Sequence, residues 1–213
     1  MRRRTAVLLS GRGSNLSALA AAAGNPAYPA GIVLALSNVP DAPGLALAAA
    51  AGIPARAIDH RPFGRDRAAH ERVLLGALRE AGAEIVCLAG YMRRLSPLLV
   101  NAYAGRMLNI HPSLLPAFPG LDTHARALAA GVKLHGCTVH LVTEALDEGP
   151  IVAQAAVPVL PDDTAATLAA RVLVQEHRLY PLALALLARG EAGTAAAADA
   201  CLLNPLPAGG SLA

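Results

Sequence analysis

Residues 5–16 read TAVLLSGRGSNL, and this stretch predicts an apolar strand, a glycine-bearing turn and the start of a helix. Gly11 and Gly13 allow the backbone to come close to a ligand. The helix N-terminus offers free N–H groups and the positive end of its dipole, which suits a phosphate. The pattern is neither a Walker loop nor the complete dinucleotide fingerprint, because Leu16 stands where the third glycine would be. A phosphate site and an ordinary tight turn both remain open at this point.

The same alternation of short apolar runs and Ala/Leu-rich helical patterns continues through the first half of the chain. Strands are predicted over 5–9, 31–36, 55–58, 84–88 and 106–111, and helices over 15–23, 44–51, 66–81 and 97–103. This order of apolar strands and helices predicts an α/β fold: a single-domain, Rossmann-like, mostly parallel sheet flanked by helices on both faces.

The second half of the chain predicts a different connection. After a helix over 123–130, strands over 137–143 and 151–157 flank a short Gly-Pro-containing turn, which is typical of an antiparallel hairpin appended to the sheet. A long helix is predicted over 164–189, with Asp162 or Asp163 as its cap and Pro181 kinking or dividing it. Residues 190–213 are rich in Ala, Gly and Pro and predict a poorly patterned C-terminal tail.

Composition excludes several classes of protein. The 213 residues are 54% hydrophobic, enough for a core, and carry 18 basic against 15 acidic residues. Beyond Arg2, Arg3 and Arg4 there is no basic block, and aromatic residues make up only 3% with no Trp, so the sequence does not favour nucleic-acid binding. The slight positive charge is compatible with small anionic ligands.

The cysteines and the apolar segments bear on the compartment. Cys87, Cys137 and Cys201 are odd in number and form no CxxC pair, which indicates a reducing environment. The apolar run after the N-terminal arginines is too short for a signal peptide, and Gly and Pro residues interrupt the uncharged stretch 13–40. We therefore predict a cytoplasmic protein that does not enter a membrane.

Residues 108–116 read LNIHPSLLP and predict the candidate reactive centre. Side chains two apart in a strand point the same way, so Asn109 and His111 project together while Ile110 enters the core. Pro112 ends the strand and leaves both polar groups at its carboxyl end, where open α/β sheets place their sites. An amide donor beside an imidazole suits stabilisation of an oxyanion with proton transfer nearby. A polar strand end before a Pro-rich loop is the alternative.

Two further groups of polar residues allow more than one interpretation. Asp147 is either a turn residue that bonds its own backbone or a carboxylate that holds His111 cationic and oriented. His135, Cys137 and His140 have metal-binding side chains, but His140 points opposite to the other two on a strand, so no metal site is expected. The run Gln175-Glu176-His177 on the long helix is typical of a solvated face.

Several motifs stand in order along the chain. They are Ser10-Gly11-x-Gly13-Ser14-Asn15-Leu16, Ala89-Gly90-Tyr91-Met92-Arg93, Leu108 to Pro116, Phe118-Pro119-Gly120, His135-Gly136-Cys137-Thr138-Val139-His140, Leu146-Asp147-x-Gly149-Pro150-Ile151 and Gln175-Glu176-His177-x-Leu179-Tyr180-Pro181. Together they resemble the phosphoribosylglycinamide formyltransferase family over roughly residues 5–187. The resemblance implies one catalytic domain over 1–189, with its N-terminal half on the nucleotide-phosphate side and its C-terminal half on the folate side, followed by the tail 190–213.

The resemblance also implies a reaction and a set of site residues. A formyl group would pass from 10-formyltetrahydrofolate, the co-substrate, to the amine of glycinamide ribonucleotide in purine synthesis, without a metal. The catalytic residues would be Asn109, His111 and Asp147. The ribonucleotide would contact Gly13, Ser14, Asn15, Leu173, Val174, Gln175 and Glu176. The folate would contact Arg67, Met92, Arg93, Arg94, Leu95, Asn109, Thr143, Glu144, Ala145, Leu146 and Asp147.

Some positions depart from the family pattern. Arg94 replaces a residue that is usually apolar, and Ala117 one that is usually longer and polar or basic. An extra residue before Arg67 makes Arg65 a competitor for the folate contact. Small-molecule substrates are the expected partners, with neither nucleic acid nor membrane, and the chain is expected to be a monomer or homodimer.

Three other functions use parts of the same pattern. A formyltetrahydrofolate hydrolase could share the three catalytic residues but is expected to carry an added regulatory domain. A methionyl-tRNA formyltransferase would need an RNA-binding domain and a basic surface. An α/β nucleotide-binding module that is no enzyme would explain the glycine turn and leave the catalytic combination as coincidence.

Overall fold

A computed structural model of the chain describes residues 1–192 and 202–203. The strands are β1 (Arg3–Leu9), β2 (Ala30–Ser37), β3 (Ala55–Ala57), β4 (Ile85–Leu88), β5 (Met107–His111), β6 (Leu134–Leu141), β7 (Ile151–Pro158) and β8 (Leu202–Leu203). The helices are α1 (Ser14–Ala23), α2 (Pro43–Ala50), α3 (Arg67–Glu80), α4 (Pro97–Ala102), α5 (Thr123–Ala129) and α6 (Ala165–Arg189), with a 3₁₀ turn at Arg61–Phe63.

The strands form one mixed sheet in the order β3-β2-β1-β4-β5-β6-β7-β8. Strands β1 to β5 pair in parallel, β6 is antiparallel to both β5 and β7, and β8 is parallel to β7. The predicted Rossmann-like sheet with an appended hairpin is confirmed. Its parallel part follows from the apolar strands, which can be buried only when helices cover both faces.

The alternation of side chains along β1 shows how the layers are built. Val7 and Leu9 enter one core with α1, α2 and α6, whereas Ala6 and Leu8 enter the other core with α3 and α4. All four residues are fully buried. The sheet is therefore the middle layer of three.

The topology determines where a site can form. Strand β1 lies between β2 and β4, and the chain leaves it toward one edge before returning through α3 to build the other side. Parallel sheets bind ligands outside the carboxyl ends of their strands at such a switch point. The turn after β1 and the ends of β4 and β5 meet there.

The structure corrects three details of the second half. Strand β6 begins at Leu134, three residues earlier than predicted, and the connection to β7 is a loop over 142–150 rather than a short turn. The cap of α6 is Thr164, in a reciprocal capping box with Thr167. Asp163, a predicted cap, instead pairs with Arg171 through two bonds of 2.7 and 2.8 Å.

Pro181 neither ends nor divides the long helix, because α6 continues from Ala165 to Arg189. The proline costs one helical hydrogen bond. The neighbouring Tyr180 and Leu184 are fully buried, so tertiary packing on both sides of the proline holds the helix together.

The helix ends at Gly190, whose φ of 76° is in the left-handed region that glycine tolerates. Of the tail predicted over 190–213, Leu202–Leu203 forms β8 against Gln154 and Ala155 of β7, which the sequence did not predict. The rest of the tail beyond Ala192, with Cys201, lies outside the described residues. Among the helices of the described residues, none combines the length and the hydropathy of a membrane-spanning segment.

Candidate active site

The carboxyl end of β5 carries the two polar residues that the strand pattern predicted. Asn109 is half-buried, His111 is 6% exposed, and Ile110 between them belongs to the core. Both polar side chains face a cavity of about 670 Å³. The period of two along the strand therefore placed them correctly.

The long loop after β6 brings Asp147 to the same place. Its carboxylate oxygen Oδ2 lies 3.5 Å from Nδ1 of His111, and its side chain is only 6% exposed. The backbone N–H of Gly120 donates to the same oxygen at 2.9 Å. The three side chains that the resemblance names as catalytic thus converge, although Asp147 is distant in the sequence from the other two.

The imidazole of His111 lies between two acceptors. Nε2 is 3.1 Å from the carbonyl oxygen of Phe118, and Nδ1 faces Asp147. A neutral imidazole has one N–H, whereas the cation has two. The surroundings of His111 therefore place an acceptor near each of its two ring nitrogens.

His140 is a member of the site that sequence reasoning missed. It lies directly opposite Asn109 in the antiparallel register of β5 and β6, with its Nε2 3.1 Å from Asn109 Nδ2. Its Nδ1 is 2.9 Å from the carbonyl oxygen of Leu141. Nε2 also lies 3.8 Å from Asp147 Oδ1.

The prediction that His140 points away from Cys137 holds, since Cys137 packs in the core. The signal that could have found His140 is its hairpin register with β5.

The protonation of His140 orients Asn109. Burial lowers the pKa of His140, which favours the neutral ring. Its single proton then belongs on Nδ1, where it is donated to Leu141, so Nε2 accepts from the Asn109 amide. The Asn109 nitrogen consequently faces His140 and keeps its second N–H for another acceptor.

The segments predicted to contact folate line the same cavity. The lining includes Met92, Arg93, Arg94 and Leu95 after β4, and Thr143, Glu144, Ala145, Leu146 and Asp147 before β7. Three large apolar side chains of the lining are strongly exposed, namely Met92 at 71%, Leu121 at 74% and Leu146 at 52%. The wall can therefore cover the flat face of an apolar ring system.

Side-chain oxygens of Ser10 and Glu71 fix the segment after β4. The Ser10 hydroxyl accepts from the Met92 N–H at 2.7 Å. Glu71 of α3 is 2% exposed and accepts from the Ser96 N–H at 2.7 Å and from the Ser96 hydroxyl. Ser96 is the N-cap of α4, so one carboxylate joins α3 to the end of this segment. Sequence reasoning did not identify Glu71, because its partner lies on another element.

The structure does not bring Arg67 to the cavity. Arg67 opens α3 and is exposed, as is its competitor Arg65. Neither lies among the residues that line the cavity in the described part of the chain. Ala117, the other departure from the family pattern, is likewise absent from the lining.

The glycine turn after β1 has the geometry of a close backbone approach. Gly13 caps α1 with a φ of 78°, and a Cβ added there would lie 2.6 Å from the Cα of Gly44. Ser14 and Asn15 form the first turn of the helix, whose backbone N–H groups point out of its N-terminus. The turn can therefore accept an anion.

Helix α6 contributes a buried carboxylate beside that turn. Asn15 Nδ2 donates to Glu176 Oε2 at 2.7 Å, and burial raises the pKa of Glu176. The solvated face predicted for this part of the helix is wrong for Gln175 and Glu176, which are 6% and 8% exposed. Within the described residues, Asn15 Oδ1 and Gln175 Oε1 are buried without a partner.

Leu173 and Val174, the other two α6 residues expected near the ribonucleotide, are more exposed than Gln175 and Glu176. Leu173 is half-buried, whereas Val174 is 57% exposed. Successive helix residues are about 100° apart, so four in a row cannot all face one ligand. Leu173 shares the side of Glu176, three residues later, and Val174 lies on another side.

Comparisons with known proteins agree with this geometry. Residues 3–184 match the model of the Formyl transferase family. Phosphoribosylglycinamide formyltransferase of Escherichia coli (strain K12) is 45% identical over 184 residues, which are 86% of this chain and 86% of that protein. The chain belongs to the phosphoribosylglycinamide formyltransferase family. The predicted family and its enzyme class, a formyltransferase, are confirmed.

Solved structures of the family share the fold. Phosphoribosylglycinamide formyltransferase from Brucella melitensis is 58% identical, with a TM-score of 0.85 over 88% of this chain and 96% of that one.

The trifunctional purine biosynthetic protein adenosine-3 of Bos taurus is 49% identical over 88% of this chain. This formyltransferase chain spans only 18% of the length of that relative.

Proposed function

We propose that this formyltransferase transfers the formyl group of 10-formyltetrahydrofolate to the amine of N1-(5-phospho-D-ribosyl)glycinamide. The products would be the N-formyl ribonucleotide and tetrahydrofolate, in the de novo purine pathway to IMP. The observation that carries the proposal is the convergence of Asn109, His111 and Asp147 in the wall of one cavity of about 670 Å³. The names of the relatives support the same reaction.

Each substrate has a matching surface. The ribonucleotide phosphate would bind the N–H groups of Gly13, Ser14 and Asn15 at the start of α1, where the helix dipole favours an anion. Glu176, buried beside them, would accept hydrogen bonds from the ribose hydroxyls, with Leu173, Val174 and Gln175 as its expected neighbours in the site. The pteridine of the folate would fill the cavity between 92–95 and 143–147.

The chemistry needs an oxyanion site and a route for one proton. Attack of the glycinamide amine on the formyl carbon forms a C–N bond and moves an electron pair onto the formyl oxygen. The free N–H of Asn109 and a protonated His111 would donate to that oxyanion. Collapse then breaks the bond to folate N10, and Asp147 would position a water that carries the amine proton to N10. Orientation and electrostatics supply the rate.

The dependence of formyl release on the ribonucleotide can be measured directly. Purified protein is mixed with 10-formyltetrahydrofolate, with and without glycinamide ribonucleotide, and the change in folate absorbance is followed. Tetrahydrofolate release that requires the ribonucleotide supports the transferase. Release without it would favour the hydrolase, and no release with either mixture would favour a binding module. The Asp147→Asn variant serves as the control for the site, since it keeps the side-chain shape and removes the charge.

The partners follow from the same proposal. We infer small-molecule substrates and no role for nucleic acid or membrane, with a cytoplasmic location and a monomeric or homodimeric state as predictions. No metal takes part in the proposed reaction, because the oxyanion is met by N–H donors of the chain.

A further inference from the structure

One short segment of backbone touches both ionisable members of the proposed catalytic group. The carbonyl oxygen of Phe118 lies 3.1 Å from His111 Nε2, and the N–H of Gly120 donates to Asp147 Oδ2 at 2.9 Å. Leu121 and Asp122 continue the segment along the cavity wall. We refer to residues 118–122 as the contact segment. Its position therefore decides how the imidazole and the carboxylate are held.

The contact segment has an unfavourable backbone. Phe118 and Asp122 have φ values of 54° and 56°, in the left-handed region that residues with a Cβ seldom adopt. Gly120 between them has a φ of 79°. Strained backbone of this kind persists only where the surrounding structure holds it in place.

Arg126 of α5 provides such a hold. Its Nη1 donates to the carbonyl oxygen of Pro119 at 2.5 Å and lies 3.3 Å from that of Leu121. Its guanidinium carbon lies 5.7 Å from the centre of the Phe118 ring, within the range of a cation–π contact. Its backbone N–H also bonds the carbonyl of Asp122 at 3.0 Å. That last bond is the first helical bond of α5 and does not depend on the side chain, which itself contacts the contact segment at three of its five positions.

The charge of Arg126 has no other task in the described part of the chain. The side chain is exposed, and it forms no ion pair among the described residues. Within the described residues, its side chain hydrogen-bonds and stacks only on the contact segment. A guanidinium is planar and presents several donors in a fixed fork, so it can bond two carbonyls and cover a ring at once.

We propose that Arg126 is a positioning residue for formyl transfer. It clamps the strained contact segment, so that the Phe118 carbonyl orients His111 and the Gly120 N–H orients Asp147. This inference rests on the proposed function. Arg126 lies outside the cavity lining, so it acts through the two catalytic side chains rather than on the substrates.

The test compares Arg126→Ala and Arg126→Lys with Arg72→Ala. Arg72 is an exposed helix arginine of α3 and serves as the matched control. For Arg126→Ala we expect kcat to fall roughly 10-fold, since small misplacements of catalytic groups are costly. KM for both substrates and Tm should change little. Arg126→Lys should recover part of kcat, and millimolar guanidinium should partly rescue Arg126→Ala but have no such effect on Arg72→Ala.

Amide hydrogen exchange gives a readout that does not depend on activity. Exchange at Gly120, whose N–H donates to Asp147, should accelerate in Arg126→Ala and remain unchanged in Arg72→Ala. The proposal is overturned if Arg126→Ala keeps the wild-type kcat or if its exchange rises evenly over the whole chain. It is also overturned if its Tm falls so far that unfolding at the assay temperature explains the lost activity. If the wild-type protein transfers no formyl group, the proposed function fails, while the exchange result still decides whether Arg126 clamps the segment.

Discussion

At the end of β5, the proposed mechanism uses the side chains of Asn109 and His111 to stabilise one developing negative charge. Asn109 has a free amide N–H once His140 has taken the other, and His111 lies between the Phe118 carbonyl and Asp147. Both donors are held before any substrate arrives. Such preorganised donors are worth more than groups that must first reorient.

Asn109→Ala removes one of the two proposed donors to the oxyanion. We expect kcat to fall by about 10²–10³, equivalent to about 3–4 kcal/mol, with little change in substrate binding. His111→Ala should cost at least as much, because it removes a donor and the partner of Asp147. Steady-state kinetics together with dissociation constants for each substrate check this. Near-normal turnover in either variant would contradict the assignment of both residues.

Glu176 is proposed to bind the ribose hydroxyls, and its burial carries a cost in stability. Burial raises its pKa above the ordinary 4.5, so its contribution to stability is present below pH 4.5 and is lost as the pH rises through the raised value. Glu176→Gln resembles the protonated form and should have a Tm at pH 7.5 equal to or above that of the wild type. Its KM for the ribonucleotide should rise by roughly 10–100-fold, because a bond to a charged acceptor is worth about 1.5–3 kcal/mol.

Differential scanning fluorimetry and kinetics at varied ribonucleotide test both halves of this expectation. Glu80→Gln, at an exposed carboxylate of α3, is the control and should leave KM unchanged. A marked loss of stability in Glu176→Gln would show that the ionised carboxylate stabilises the fold instead.

At the scale of elements, the turn between β1 and α1 offers two glycines with different requirements. Gly13 has a φ of 78°, and a Cβ there would meet the Gly44 backbone at 2.6 Å, whereas a Cβ at Gly11 would meet nothing within 4 Å. Gly13→Ala should therefore shift the turn against α2 and raise KM for the ribonucleotide at least 10-fold. The left-handed backbone alone costs about 1–2 kcal/mol for a residue with a Cβ.

Gly11→Ala is the matched control in the same turn. Its KM for the ribonucleotide should stay within about a factor of three of the wild-type value, because substitutions that meet no neighbouring atom usually have small effects. Kinetics at varied ribonucleotide and at varied folate separate the two sites. If both alanine variants lost ribonucleotide affinity equally, the close approach of Gly13 to Gly44 would not explain the turn.

At the scale of the whole molecule, buried imidazoles determine how stability responds to acid. Burial lowers the pKa of five histidines, His70, His124, His135, His140 and His177. The pKa of His135 falls from 6.5 to about 4. The unfolded chain therefore binds protons more readily than the folded one between these values. Stability should be fully present above about pH 6.5 and decrease as the pH falls toward 4.

Urea unfolding at several pH values between 7.5 and 4 measures this loss. Glu176 contributes to the free energy of unfolding with the opposite sign, because its raised pKa favours the folded state in acid. The decrease in that free energy should therefore be smaller than the sum of the histidine contributions. His135→Gln removes the group whose lowered pKa has a stated value and should flatten the dependence between pH 6.5 and 4. Stability that rose on acidification would contradict the burial of neutral imidazoles.

Local patterns in the sequence were sufficient for the order of strands β1 to β7 and helices α1 to α6, and for part of the site. Apolar runs and helical periodicities determined the order of strands and helices, because both arise from contacts between near neighbours in the chain. The period of two placed Asn109 and His111 together, and the glycine turn marked the start of α1. These features need only backbone geometry and burial.

Which distant side chains contact Asn109 and His111 was decided by the tertiary structure alone. Asp147 reaches His111 through the path of a loop, and His140 reaches Asn109 through the register of β5 and β6. The burial of Glu176 and the hold of Arg126 on the contact segment likewise depend on helices packed from elsewhere in the chain. Residue spacing cannot predict such contacts, because loop paths and strand registers are selected by the packing of the whole core.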